Sequence, residues 1–304
     1  MNTHMPRHLF RPAEELNIFF LFIFALLITL HFSEVPRAGM VLSIYASLIG
    51  FQLLLPRINT EFAVMHSIRD IIFPVVSILT VFDSLGLIVH AVNPQDIDHL
   101  LIRLDYRLFG LHPTVALERV ASPFLTDILQ LAYTTYYFLP IAMGVTLWRQ
   151  GRHDAFNYYL FLIMLCFYLS YVGYLLFPAL GPRYAIAHLQ TGELPGSAFS
   201  QSIQSLLNSL EGVKRDAFPS GHTGIAVTAL VLAWRLDRRL FRIFLIPVVL
   251  LVAATVYCRY HYVVDVIGGL LLVVVTFIPG GVYYKFWTRR NGYPFPASER
   301  RHSD

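Results

Sequence analysis

Charge is scarce in this sequence. Lys, Arg, Asp and Glu make up 14% of its 304 residues, where an ordinary soluble domain carries about 25%. Hydrophobic residues reach 56%, which excludes a soluble chain. Cysteine is scarcer still. Cys166 lies inside one apolar run and Cys258 closes another, so the two thiols are read as unpaired and build no disulfide framework. Repeats, low-complexity tracts and obvious linkers are absent. The net charge of +4 is small, and the basic residues form no stripe of the kind that binds nucleic acid. They fall between apolar runs, which is a pattern of membrane topology.

What is abundant is uninterrupted apolar sequence. A bilayer core needs roughly 20 apolar residues in a helix. Eight runs come close, at about 16–33, 39–56, 70–91, 124–148, 156–177, 220–235, 241–257 and 262–285. The sixth is the weakest, because it opens on polar residues. All are continuous rather than alternating, so strands are excluded. The first run follows Arg7 and Arg11 and has the look of a secretory signal. No small-residue cleavage site follows it, so it is read as the first spanning helix. The expected fold is all-α, a polytopic transmembrane bundle of about eight helices.

Eight spans place both termini on one side. Putting the termini inside assigns most of the 23 basic residues to inner segments: Arg7 and Arg11, Arg57 and Arg69, Arg149 and Arg152, Arg235 to Arg242, and Lys285 to Arg301. That bias is the positive-inside rule. The outer cations are Arg37, Arg103, Arg107, Arg119, Arg183, Lys214, Arg215 and Arg259. Two outer loops are long. Residues 92–123 carry Ile97, Leu100, Leu101, Leu104 and Leu108 as a helical stripe, with Asp and Arg on the other face. Residues 178–219 carry Phe199, Ile203, Leu206, Leu207 and Leu210, flanked by Pro195-Gly196 and Gly212. Both read as amphipathic helices, either packed on the bundle or lying in the interface as a lid or entry ramp for a lipid.

The polar residues that a membrane tolerates least gather where three outer ends meet. His261 and Asp265 are four apart, so on a helix they share a face. A carboxylate at the mouth of a spanning run normally has a partner. Bonding to one imidazole nitrogen would fix the tautomer and leave the other nitrogen free. Pro219-Ser220-Gly221-His222 opens another helix. Pro suits a first turn, and the N–H groups there bind anions. Gly221 would allow close approach, Ser220 would add a hydroxyl donor, and His222 would project into the same site. Arg183, after the turn Gly181-Pro182, brings a guanidinium; Arg259, Lys214 and Arg215 lie nearby in sequence. Cations beside such a nest suit a highly charged oxyanion, although any of them would also suit lipid headgroups.

Pro219-Ser220-Gly221-His222, followed about forty residues later by His261-x-x-x-Asp265, resembles the type 2 phosphatidic acid phosphatase superfamily. That group also contains the vanadium haloperoxidases and the inositol phosphorylceramide synthases. The resemblance covers roughly 95–285 and implies a histidine-phosphotransfer membrane core there, with six helices. Residues 1–94 are then added transmembrane helices and loops, and 286–304 a cytoplasmic tail. It further implies that His261 attacks phosphorus, that Asp265 orients it, and that His222 protonates the leaving oxygen and then activates water or an alcohol. Arg183, Ser220 and Gly221 would bind phosphate oxygens, with no metal and no cofactor. The sequence departs from the family in two motifs. Leu176 stands where the first motif has lysine, and Ala254-Thr255 where the third has Ser-Arg. Lys214 and Arg259 are the candidates to fill those roles. Phe-Pro-x-x-Gly-Pro-Arg-Tyr and Arg-Tyr-His-Tyr look more like the inositol phosphorylceramide synthase branch.

Three functions follow as expectations. The first is a phosphatase on a lipid phosphate, with water as acceptor. The second is a transferase that moves a phosphorylated headgroup to a lipid alcohol such as ceramide. The third is a transporter or metal-binding membrane protein that uses His222, His261 and Asp265 as ligands; the adjacent arginines argue against it. The expected partners are the bilayer, a lipid phosphate or phospholipid, and water or a lipid alcohol. The active site would face the periplasm, the cell exterior or an organelle lumen, with both termini cytoplasmic.

Overall fold

The computed structural model describes residues 10–55, 66–210 and 213–296, with side chains at all of these except 206–210. Arg7, Arg57, Arg300, Arg301 and Gly212, which entered the charge and loop readings, lie outside the described residues, as do the side chains of Leu206, Leu207 and Leu210. Among the described residues there are helices and no strands. The helices are α1 (Pro12–Leu30), α2 (Ala38–Leu54), α3 (Phe73–Val92), α4 (Asp98–Phe109), α5 (Pro123–Thr134), α6 (Phe138–Arg149), α7 (His153–Leu176), α8 (Ala198–Leu210), α9 (Gly221–Leu236), α10 (Arg238–Tyr257) and α11 (Val263–Asn291). A π-helical turn, Ile68–Ile72, leads into α3, and a 3₁₀ turn, Thr135–Tyr137, joins α5 to α6.

All eight apolar runs are helical. Among the described residues, six helical segments are long and apolar enough to cross a bilayer: α1, Ile68–Val92, Pro123–Arg149, α7, α10 and α11. They leave large apolar side chains such as Phe22, Ile246 and Val282 more than 60% exposed, which only a lipid solvent favours. The remaining two runs are shorter, α2 with 17 residues and α9 with 16. The weakness of α9 in sequence has a structural cause. It is the central helix, packed on α6, α7, α10 and α11. Protein surrounds it, so it needs small residues for close packing more than it needs lipid-facing bulk. A Cβ on Gly269 of α11 would sit 2.6 Å from the Ser220 carbonyl oxygen and 3.2 Å from the Gly224 nitrogen. Only glycine lets α11 cross α9 this closely.

Helices α1, α2 and α3 extend this bundle, with α1 and α3 both packed on α7. A buried polar knot ties them. The Asn17 amide donates to Gln52 Oε1 at 2.6 Å, and the Ser77 hydroxyl donates to Asn17 Oδ1 at 2.9 Å. The Tyr168 hydroxyl of α7 donates to the same oxygen. Each such bond contributes about 0.6 kcal/mol on average in a membrane bundle. At the same end, Arg11 pairs with Asp70 at 2.7 Å and Arg69 with Glu14 at 2.7 Å.

The two amphipathic helices are α4 and α8. Helix α8 packs on α5. Helix α4 shows which face turns in. Asp98, Leu101 and Asp105 are buried, while Leu100, Tyr106, Leu108 and Phe109 are exposed. The apolar stripe is therefore split, with Leu101 buried, Ile97 and Leu104 half-buried and Leu100 and Leu108 exposed, and Asp98 and Asp105 face the protein.

Candidate active site

Backbone hydrogen bonds stitch the three polar segments together at one end of the bundle. The Arg183 amide donates to the Arg259 carbonyl, the Ala217 amide to Ala179, and the Ser220 amide to Asp265, at 3.0, 3.2 and 3.0 Å. The Phe218-Pro219 bond between them is cis.

His222 and His261 meet there. His261 Nε2 lies 3.4 Å from His222 Nδ1. The other His261 nitrogen, Nδ1, lies 2.8 Å from the Ala217 carbonyl oxygen. A carbonyl only accepts, so Nδ1 carries the proton and Nε2 keeps its lone pair. Asp265 is near, with Oδ2 3.5 Å from Nδ1, beyond a good hydrogen bond. That oxygen instead accepts the Tyr262 amide at 2.7 Å. The expected tautomer is therefore set chiefly by a backbone carbonyl, and the carboxylate caps α11 beside it. His222 is wedged between aromatic rings, 4.5 Å from Tyr133 and 4.3 Å from Tyr136 by centroid.

Burial lowers the pKa of His261 to about 4, against the opposing pull of Asp216 and the Ala217 carbonyl. The imidazole is thus neutral, and able to act as a nucleophile, at any pH well above that value. In histidine-labelled protein followed by NMR, His261 is expected to stay neutral down to about pH 5.5. A midpoint near the ordinary value of about 6.5 would contradict the buried, carbonyl-bound ring.

Both histidines line a small polar cavity of about 50 Å³, with Arg183, Lys214, Asp216, Tyr133, Tyr184 and Tyr260. The Arg183 guanidinium lies 4.9 Å from the Tyr184 ring and 5.0 Å from the Tyr260 ring. This cation–π clamp orients its fork. Lys214 is exposed at the rim. Arg215 is held elsewhere, 2.9 Å from Asp96. His222 and Asp216 are also shared with a much larger apolar chamber of about 340 Å³.

Three expected phosphate ligands stand apart from this cavity. Ser220 is fully buried; its hydroxyl accepts the Thr223 amide at 3.3 Å and donates to Thr223 Oγ1 at 3.0 Å. It caps α9. Gly221 faces Tyr174, whose hydroxyl would lie 2.1 Å from an added Cβ. The glycine makes room for a tyrosine there. Arg259 has φ of 65° and turns away from the cavity. Its guanidinium donates to Glu118 Oε1 at 2.8 Å, Gln190 Oε1 at 2.9 Å and the Gly192 carbonyl at 2.7 Å. It latches the outer loops together. Among the described residues no group of three or more His, Cys, Asp or Glu side chains converges as a metal shell.

Two positioning residues were not singled out in the sequence. Asp98 accepts the Leu180 and Gly181 amides at 2.8 and 2.9 Å and the Tyr262 hydroxyl at 2.9 Å. Asp105 accepts the Val263 and Val264 amides at 3.0 and 2.9 Å. Helix α4 thereby bolts the Arg183 turn to the first turn of α11. Their seven-residue spacing, two helical turns on one face, was the available signal. Asp105→Ala should lower stability by about 1–3 kcal/mol, because two amides lose their acceptor. It should also lower kcat by loosening His261. Thermal unfolding and turnover measured together check this; unchanged kcat would make the carboxylate purely structural.

The sequence model of the PAP2 superfamily matches residues 99–278. The chain belongs to the PAP2 superfamily. The match runs from α4 into α11 and includes His222, His261 and Asp265. A PA-phosphatase related-family protein of Dictyostelium discoideum is 27% identical over 179 residues, covering 52% of this chain and 32% of the relative. The chain thus spans about a third of that relative's length. No solved structure matches. Helices α1, α2 and α3 lie outside the PAP2 match.

Proposed function

We propose that this membrane protein is a phosphoesterase acting on a lipid phosphate, of the phosphatidic acid or polyprenyl phosphate type, through a phosphohistidine intermediate. The observation that carries the reading is the contact of two imidazoles, one holding an available lone pair, beside a polar cavity that joins an apolar one. Arg183 and Lys214 neutralise the phosphate and lower the barrier to anionic attack. His261 Nε2 attacks phosphorus, and the bond from phosphorus to the lipid oxygen breaks. His222, which takes up a second proton when the anionic phosphate binds beside it, gives that oxygen this proton and becomes neutral, and the lipid alcohol leaves. Now a base, His222 takes a proton from water, which attacks the phosphohistidine; inorganic phosphate departs and His261 is neutral again. Asp265 stabilises the positive charge on the His261 ring while the bond to phosphorus exists. The reaction core is assigned to 95–285.

The site is assigned to the non-cytoplasmic face, with both termini cytoplasmic. Its support is the positive-inside bias, with Arg11, Arg69 and Arg149 at the end of the bundle away from the histidines. A cysteine introduced at Gly192 is expected to react with an impermeant reagent outside intact cells, and one at Arg238 to stay protected. The reverse pattern would invert the orientation.

Product analysis tests the reaction itself. Purified protein in detergent and chelator is given lipid phosphates and phosphodiesters, with and without a lipid alcohol. Release of inorganic phosphate regardless of acceptor is the expected result. A new phospholipid formed only with the alcohol would establish headgroup transfer, as in the inositol phosphorylceramide synthases. Activity lost in chelator would overturn the metal-free mechanism.

A further inference from the structure

The apolar chamber has a defined shape and a defined end. It lies between α3 and α6, both of which pack on α7. Along α7 it is lined from Tyr174, beside His222, to Phe156. At the 1.5 Å rise per residue this is about 27 Å. The wall is almost wholly carbon despite its tyrosines. Tyr159 donates its hydroxyl to the Pro140 carbonyl at 2.6 Å, and Tyr171 to the Ile78 carbonyl at 3.2 Å. The side between α3 and α6 is open, since the lining residues Leu79 and Ile141 are 52% and 44% exposed. The far end is not apolar. Asp70 lines it, paired with Arg11 at 2.7 Å and accepting the Trp148 indole N–H at 3.3 Å.

We infer that this chamber holds one hydrocarbon chain of the substrate and that the Arg11–Asp70–Trp148 cluster limits its length. The inference rests on the lipid-phosphate reading above. Continuity argues for the occupant. The chamber shares His222 and Asp216 with the polar cavity. A phosphate beside His261 therefore places its ester oxygen at His222 and its chain in the chamber. Volume argues for a single chain, because about 340 Å³ spread along this length makes a narrow slot. The floor argues for a limit. A methyl group pushed against this cluster would have to displace buried charges that are already engaged, Arg11 with Asp70 at 2.7 Å and with Glu14 at 2.8 Å. A single leaflet of hydrocarbon is about 15 Å deep, half of the bilayer core, so the slot admits a chain longer than one leaflet. One wall, α3, lies outside the residues shared with the PAP2 superfamily. The selectivity thus depends in part on this chain's N-terminal helices, which supply α3, Arg11 and Asp70.

The test uses single-chain alkyl phosphates of increasing length with the full-length protein in detergent. Each added methylene is worth about 0.8 kcal/mol of burial, so kcat/KM should rise up to about fourfold per carbon. It should stop rising, or fall, once the chain reaches the floor. Gly144→Trp fills the floor end of the chamber, beside Tyr159 and Phe156, and should move that break to shorter chains, with turnover of the shortest ester unchanged. Val145→Trp on the same wall serves if the first variant does not fold. The same break in wild type and variant, or no dependence on length, would overturn the inference. Binding gives a readout that needs no turnover. A single-chain phosphate brominated at its far end should quench Trp148 fluorescence, read as the difference between wild type and Trp148→Phe, only when the chain is long enough to reach the floor. Quenching without turnover would keep the chamber and reject the phosphoesterase reading; turnover without quenching would do the opposite.

Discussion

Replacing His261 with alanine is expected to lower turnover of a lipid phosphate by about 10⁴-fold or more, while the protein stays folded. The size follows from the proposed role. Without the nucleophile there is no covalent intermediate, and the cations and His222 alone would have to assist direct attack by water. The structural cost is small by comparison. The Ala217 carbonyl loses one donor, about 1 kcal/mol in a buried site. Size-exclusion elution and the melting temperature should therefore change little. His261→Gln is the control, because its amide can still donate to that carbonyl, and it should be as inactive as alanine. Activity within about tenfold of wild type in a clean preparation would remove His261 from the reaction.

His222→Ala is expected to lose about 10²–10⁴-fold, the usual worth of a positioned general acid. Its diagnostic feature is dependence on the leaving group. A natural lipid alcohol leaves as a strongly basic alkoxide and needs the proton. An activated phenol leaves without one. The variant should therefore recover most of its rate on an aryl phosphate, whereas His261→Ala should not. Equal losses on both esters would mean that His222 acts on binding or packing rather than on the leaving oxygen. The rings of Tyr133 and Tyr136 that flank it make that control necessary.

Much of this fold was legible because lipid imposes a simple demand on sequence. Helices α1, α3, α7, α10 and α11 had to be long and apolar, and they read so. Helix α9 read weakly because its neighbours are protein, and Gly221, Gly224, Ala226 and Ala229 serve contact rather than solvation. In the site, the one-turn spacing of His261 and Asp265 was visible, but the atom that holds the His261 proton is a backbone carbonyl, and no side-chain motif encodes it. Ser220 and Gly221 looked like an anion nest, and the structure uses one as a helix cap and the other to admit Tyr174. Arg259 looked like a phosphate ligand because it is near His261 in sequence. Its left-handed backbone turns it toward Glu118, more than a hundred residues away. Asp98 and Asp105 were passed over because an acidic helix face reads as solvated. Here it faces inward and holds amides. The chamber had no signal at all, since its three walls come from segments that only tertiary packing brings side by side.

The central claim is covalent transfer of phosphorus to His261. It is tested most directly by mixing the protein with a lipid phosphate carrying labelled phosphorus, quenching within one turnover in base, and mapping the label. The account predicts label on the peptide containing His261, stable in base and lost in acid, absent from His261→Ala, and longer-lived in His222→Ala, where water is poorly activated. Turnover that proceeds with no label on the protein, or with label on another residue, would contradict it.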